Sequence, residues 1–239
     1  AAMAEAGVTF AAVFGITARA AGVHSPTPEV AEFCARLRTP NCLFMALDPA
    51  DPDWPRAFDE GRAHGAAGIK LYPVMARFDP ADPELDAFYR RACDHGLPVL
   101  WHMGATPSAE GHLEVSHPLR LDPVARRFPE LRQIIAHMAH PWQRDAVQLL
   151  RKNRNVFADI SGMWTRPMDG YLALVNAQEW GVVDKLLFGS DYPLWTPAET
   201  VRGLEALTQM GAEGLPRVAP ETVERIRSHD PRQALGIAK

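Results

Sequence analysis

The sequence predicts an α/β fold, a (β/α)8 TIM barrel that lacks its first strand in the 239 residues at hand. Apolar runs too short for helices recur along the chain and fit parallel strands buried on both faces. Amphipathic stretches separate these runs, as in a sheet wound with helices. Three runs end on His102, His137 and Asp191, and such a barrel gathers its functional groups at the carboxyl ends of its strands.

Seven strands are predicted. Four of them follow a helical stretch that ends on a glycine, namely Gly7, Gly65, Gly96 and Gly181. A glycine at this place supplies the left-handed conformation that ends a helix. The predicted strands cover residues 8–14, 42–47, 68–72, 98–103, 133–137, 156–160 and 185–191.

The segments between the strands repeat apolar residues with helical spacing. Thr196 is a predicted N-cap, with Pro197 at the first helical position and Glu199 two residues later. Helical faces are predicted at Leu85, Phe88, Tyr89 and Ala92; at Leu121, Val124, Ala125 and Phe128; at Ala146, Val147, Leu149 and Leu150; and at Val201, Leu204 and Leu207.

An open, doubly wound sheet is the alternative, but no glycine-rich phosphate loop follows a strand. Because the chain opens on what looks like the tail of a helix, we expect strands two to eight of a barrel in one domain, residues 1–239. That length fits a single barrel of about 250 residues.

The composition excludes several classes of partner. The net charge is −4, so neither nucleic acid nor an anionic membrane is a predicted partner. No apolar run approaches the roughly 18 residues of a membrane-spanning helix. The three cysteines, Cys34, Cys42 and Cys93, are scattered, which favours the reducing cytoplasm over a disulfide framework.

Strand alternation places His102 on the face of Leu100 and His137 on the face of Ile135. If these faces point inward, their polar side chains form one pocket. A packed barrel layer is normally apolar, so this much buried polarity indicates a function. Taken singly, a histidine could be a structural hydrogen-bonding residue and Asp191 a turn cap. The predicted pocket collects Lys70, His102, His137, Asp159 or Ser161, and Asp191.

Imidazole and carboxylate groups in such a pocket can hold Zn²⁺ or Mn²⁺ and leave a position open for water. The metal lowers the pKa of that water from 15.7 towards about 7. A carboxylate beside the water can then accept its proton and pass it to the leaving group. Lys70 could instead be an ion-pair partner or a substrate anchor.

Five segments contain the candidate site residues: GIKLYP at 68–73, LPVLWHMG at 97–104, IIAHMAHPW at 134–142, NVFADISG at 155–162 and LLFGSDYP at 186–193. Together these segments resemble the amidohydrolase superfamily, in particular the amidohydrolase-related branch of metal-dependent hydrolases and non-oxidative decarboxylases. The tail at 230–236 is similar to the last helix of that family, and the resemblance covers nearly the whole chain.

The resemblance implies that His102 and Asp191 bind a divalent metal, with zinc expected and manganese as the alternative. It implies that Asp191 accepts the proton of metal-bound water. His137 would be an acid/base beside the metal or, in two-metal members, a third ligand. The predicted substrate-binding residues are Lys70, Tyr72 and Ser161.

The chain departs from the family in one respect. Family members carry His-x-His or Glu-x-His at the end of the first strand, whereas no histidine precedes His24 here. We expect the first strand to be missing from this sequence. The metal site is then incomplete, and the isolated chain should bind metal weakly or not at all.

Three functions are open. The first is a metal-dependent hydrolase acting on a small carboxylated or cyclic ester or amide, which the segment WHMGAT at 101–106 favours. The second is a decarboxylase of an aromatic or enol acid, and the third is a binding protein without catalysis. The predicted partner is a small-molecule substrate, and a homodimer is the assembly to be tested.

Overall fold

The computed structural model describes residues 2–237. A parallel seven-stranded sheet forms its centre, and each strand pairs with the next one in the chain. A two-stranded antiparallel ribbon, Thr17–Ala18 with Val23–His24, lies apart from it. The strands of the main sheet are β1 (Ala11–Phe14), β2 (Asn41–Ala46), β3 (Gly68–Leu71), β4 (Val99–Trp101), β5 (Gln133–Ile135), β6 (Val156–Asp159) and β7 (Leu186–Leu187).

Helices connect the strands, as the apolar spacing predicted. The predicted N-cap is confirmed, since Thr196 and Glu199 form a reciprocal capping box at the start of the helix Pro197–Leu207. The α-helices are α1 (Ala2–Glu5), α2 (Thr27–Arg36), α3 (Trp54–Ala63), α4 (Pro73–Ala76), α5 (Asp86–Asp94), α6 (Leu121–Arg127), α7 (Gln143–Lys152), α8 (Pro167–Glu179), α9 (Pro197–Leu207), α10 (Pro220–Ser228) and α11 (Pro231–Leu235).

The sheet separates two apolar layers. In β2, Leu43 and Met45 belong to the large cluster formed with the helices, whereas Phe44 belongs to a smaller inner cluster. Alternation along each strand produces this division. The inner cluster contains Phe44, Leu100, Ile134, Ala136, Leu187 and Leu235 of α11.

Within the described residues, β1 and β7 lie at the two ends of the sheet and do not pair with each other. Seven parallel strands surrounded by helices form an incomplete (β/α)8 barrel, so the predicted fold class is confirmed. The strands are shorter than predicted at several carboxyl ends, where the chain turns towards the mouth of the barrel. Over residues 2–237, no helix combines the length and the apolar character needed to cross a membrane.

Candidate active site

A cavity at the carboxyl ends of β4 to β7 brings four predicted residues together. His102 follows β4, His137 follows β5, Ser161 follows β6 and Asp191 follows β7, and all four line the cavity. Its volume is about 120 Å³, below the ~300–1,000 Å³ of pockets that hold drug-sized ligands. The cavity therefore suits a small molecule.

Left-handed backbone carries two of these side chains into the cavity. His137 has φ 55° and Asp191 has φ 58°, a conformation that non-glycine residues adopt rarely and that clusters at functional sites. The predicted shared face of Ile135 and His137 is wrong, because Ile135 packs in the helix-facing layer. The strand ends at Ile135, and left-handed residues 137–139 turn the chain inward.

The His137 ring faces a carboxylate on one side and a serine hydroxyl on the other. Its Nε2 lies 4.0 Å from Oδ2 of Asp191, and its Nδ1 lies 2.8 Å from the hydroxyl oxygen of Ser161. Asp159 accepts hydrogen bonds from the backbone N–H of His137 at 3.1 Å and of Ser161 at 3.0 Å. The His137 and Asp191 side chains are 20% and 29% exposed, so both remain open to the cavity.

His102 is held as a neutral imidazole. Burial lowers its pKa well below the usual value, and the neighbouring His137 and Lys70 lower it further. The ring packs edge-on against Tyr72, with 4.3 Å between ring centroids. Its Nε2 lies 3.4 Å from the carbonyl oxygen of Ala105, and this contact favours a proton on that nitrogen.

Lys70 and Tyr72 lie behind the cavity wall rather than on it. The Lys70 ammonium sits 5.0 Å from the Phe14 ring centroid and 5.9 Å from that of Tyr72. Burial lowers the pKa of Lys70 to about 8, although Asp159 and Asp191 oppose this shift. Lys70 therefore places positive charge close to both carboxylates, while its role in substrate binding stays a prediction.

Arg166 and Trp195 are among the lining residues that sequence reasoning missed. They lie in the loops after β6 and β7, the loops that carry function in α/β barrels, so loop position was the available signal. Gly162 makes room for Trp195, because a Cβ at Gly162 would lie 2.7 Å from the Trp195 ring. Gly162 also has φ +67°, which favours glycine.

The described side chains fit a metal in donor type but not in arrangement. Two ligands of a tetrahedral zinc lie about 3.4 Å apart, whereas His137 Nε2 and Asp191 Oδ2 are 4.0 Å apart. The Ala105 carbonyl competes for His102 Nε2. In residues 2–237, no three His, Cys, Asp or Glu side chains are grouped so that they could hold one ion. These residues alone do not make a complete metal site.

We therefore predict weak zinc binding by this chain. Calorimetric titration should give a binding free energy below the ~10 kcal/mol at the low end for structural zinc in small folded peptides. His102→Asn should change that value little, because the existing donors do not converge on one point. Stoichiometric tight binding that His102→Asn abolishes would contradict the prediction.

Comparison with known proteins gives a family-level match. The amidohydrolase family model matches residues 1–237. A search of curated proteins finds no match.

Solved structures share the fold at low sequence identity. An uncharacterised TIM-barrel protein from Bordetella bronchiseptica has a TM-score of 0.78 and 20% identity, over 98% of this chain and 80% of its own. The 5-carboxyvanillate decarboxylase of Novosphingobium aromaticivorans was solved in complex with manganese and a nitrobenzoic acid. It has a TM-score of 0.70 and 17% identity, over 99% of this chain and 78% of its own. A probable 2-pyrone-4,6-dicarboxylic acid hydrolase from Acinetobacter baumannii, with citric acid bound, has a TM-score of 0.68 and 13% identity, over 99% of this chain and 86% of its own.

Proposed function

Because this chain belongs to the amidohydrolase family, we propose that it is an enzyme that hydrolyses a small carboxylated or cyclic ester or amide. The observation that carries the proposal is the pair formed by His137 and Asp191 across the cavity. Both are proton acceptors, and both stay partly exposed to a space of substrate size. A substrate carbonyl and a water molecule can meet there.

The separation of the pair suits one bridging water. Two hydrogen bonds of about 2.8 Å from the two hydrogens of one water span roughly 4.4 Å when both are linear, and about 4 Å when both bend slightly. His137 Nε2 and Asp191 Oδ2 are 4.0 Å apart. A water between them would donate one hydrogen to each atom, so its lone pair is free for a substrate carbonyl.

In the proposed reaction, the water oxygen attacks the acyl carbon while Asp191 accepts one water proton. The acyl–oxygen or acyl–nitrogen bond then breaks, and Asp191 returns the proton to the leaving group. His137 accepts a hydrogen bond from the second water hydrogen, which stays with the new acid, and so orients the nucleophile. Water supplies all atoms added to the products, an acid and an alcohol or amine.

Arg166 and Trp195 give the cavity its preference for a substrate. The Arg166 guanidinium is exposed, and no carboxylate in residues 2–237 forms a salt bridge with it. It can therefore bind a substrate carboxylate through charge-assisted hydrogen bonds. Trp195 offers an aromatic surface to a flat ring. Both features favour a cyclic carboxylic acid derivative.

We predict that Arg166→Ala raises KM about 10- to 100-fold for a carboxylated substrate, since a hydrogen bond to a charged group contributes about 1.5–3 kcal/mol. Steady-state kinetics should show little change for the matching uncharged substrate. Arg144→Ala, which removes an exposed arginine from α7, is the control and should behave as wild type. Equal KM values for Arg166→Ala and wild type would show that Arg166 does not bind the substrate carboxylate.

Decarboxylation of an aromatic or enol acid is the second candidate, because Arg166 and Trp195 suit that substrate equally well. Product analysis separates the two reactions: hydrolysis opens an ester, lactone or amide, whereas decarboxylation releases one CO₂ for each substrate consumed. The binding of zinc or manganese, which residues 2–237 alone would hold weakly, is a further part of the proposal. So are the cytoplasmic location and the homodimer. Metal analysis of active protein, cell fractionation and light scattering test them in turn.

A further inference from the structure

The hydrogen bonds on the far side of His137 involve two side chains that the proposed hydrolysis does not use. Asp159 Oδ1 accepts from the backbone N–H groups of His137 and Ser161 and from the Ser161 hydroxyl. The Ser161 hydroxyl oxygen lies 2.8 Å from His137 Nδ1. The Ser161 carbonyl oxygen lies 3.1 Å from the same nitrogen. Ser161 is 3% exposed, so its hydroxyl has little access to solvent.

These contacts determine where the proton of a neutral His137 resides. The Ser161 hydroxyl gives its only hydrogen to Asp159, so towards His137 its oxygen can only accept. The Ser161 carbonyl can also only accept. Two acceptors thus face Nδ1, and each requires a hydrogen on that nitrogen.

We propose that Asp159 and Ser161 are positioning residues that hold His137 as the Nδ1–H tautomer, with a free lone pair on Nε2. The catalytic meaning of this inference rests on the proposed hydrolysis, whereas the tautomer is a property of the free protein. The arrangement extends from Asp159 through Ser161 to the ring, and the ring then faces Asp191 at 4.0 Å.

The tautomer decides what His137 can do to a water molecule. With its proton on Nδ1, His137 accepts a hydrogen bond from the water at Nε2 and leaves the oxygen lone pair for the carbonyl carbon. With its proton on Nε2, the ring would donate to that lone pair and block the attack. Asp159 and Ser161 therefore act through His137 and need not touch substrate.

Nitrogen-15 NMR of the wild-type chain tests the tautomer without any substrate. At about pH 8 to 9, where an ordinary histidine is neutral, the couplings of each ring nitrogen to the ring hydrogens identify the protonated nitrogen. His137→Asn assigns the signal by removing it, and the exposed His64 provides a reference imidazole. We expect protonation at Nδ1 of His137. Protonation at Nε2 would overturn the inference, whatever activity the protein has.

Kinetics of Ser161 variants supply the second test. Ser161→Ala removes one of the two acceptors, so we expect kcat to fall about 10-fold, in line with the loss of one hydrogen bond of about 1.4 kcal/mol, with KM unchanged. Ser161→Thr keeps the hydroxyl and should restore most of kcat. Ser228→Ala on α10 is the matched control and should match wild type.

Two results would count against the positioning role: a wild-type kcat for Ser161→Ala, or a rise in KM alone, which would indicate substrate contact. If no carboxylated ester or amide is turned over, the proposed hydrolysis fails. The NMR result then still decides the tautomer on its own.

Discussion

Asp191→Asn should lower kcat about 10²- to 10⁴-fold, the usual contribution of a general base, with little change in KM. Asparagine keeps the size of the side chain but cannot accept the proton of the attacking water. It also tolerates the left-handed backbone at this position, where φ is 58°. The fold should therefore survive, and the loss should be confined to the chemical step.

Steady-state kinetics with a thermal unfolding curve checks this expectation. The control is Asp184→Asn, which changes a mainly exposed carboxylate that pairs with Arg225 and does not line the cavity. It should keep full activity. If Asp191→Asn keeps a kcat near the wild-type value, Asp191 is not the proton acceptor, and that role would be assigned to His137.

Lys70→Met should stabilise the protein by about 1–3 kcal/mol at pH 7 and lower its activity. Burial lowers the pKa of Lys70 to about 8 from its ordinary 10.5, so folding with a charged ammonium is costly. A tenfold change in the proton affinity of a group on folding corresponds to about 1.4 kcal/mol. Methionine fills similar space without charge. Activity should fall because Asp159 and Asp191 lose the positive charge that lies near both.

The pH dependence of unfolding distinguishes this cause from better packing. Between about pH 8 and 10.5 the unfolded wild type binds more protons at Lys70 than the folded protein does, so wild-type stability rises with pH. The gain in the free energy of unfolding that Lys70→Met gives is therefore full below pH 8, and it shrinks towards zero near pH 10.5. Arg36→Met, on the exposed face of α2, should shift stability by less than about 0.5 kcal/mol. A destabilised Lys70→Met variant would contradict this explanation.

The sequence was sufficient to predict the strands, because a parallel strand buried on both faces leaves an apolar run with little ambiguity. Each of the seven strands lies within a predicted run or overlaps it. His102 follows β4 directly, so its place at the mouth could be predicted from the strand alone. The capping box at Thr196 depends only on local spacing and was equally accessible.

Alternation failed where the backbone left the strand. The rule assumes an extended chain, but residues 137–139 are left-handed, and no local sequence pattern encodes that turn. Ser161 illustrates a second limit. Its hydroxyl is bonded to Asp159 and to His137, while its role in substrate binding stays a prediction. Such a network depends on tertiary contacts between β5 and β6, which periodicity does not reveal.

Oxygen labelling tests the proposed hydrolysis most directly. The protein is incubated in ¹⁸O-labelled water with a panel of cyclic esters and amides that carry a carboxylate, together with matching aromatic and enol acids. The proposal predicts one ¹⁸O atom in the newly formed acid at each turnover, no CO₂ release, and loss of labelling in Asp191→Asn. Stoichiometric CO₂ release with no ¹⁸O in the organic product would contradict hydrolysis and establish decarboxylation instead.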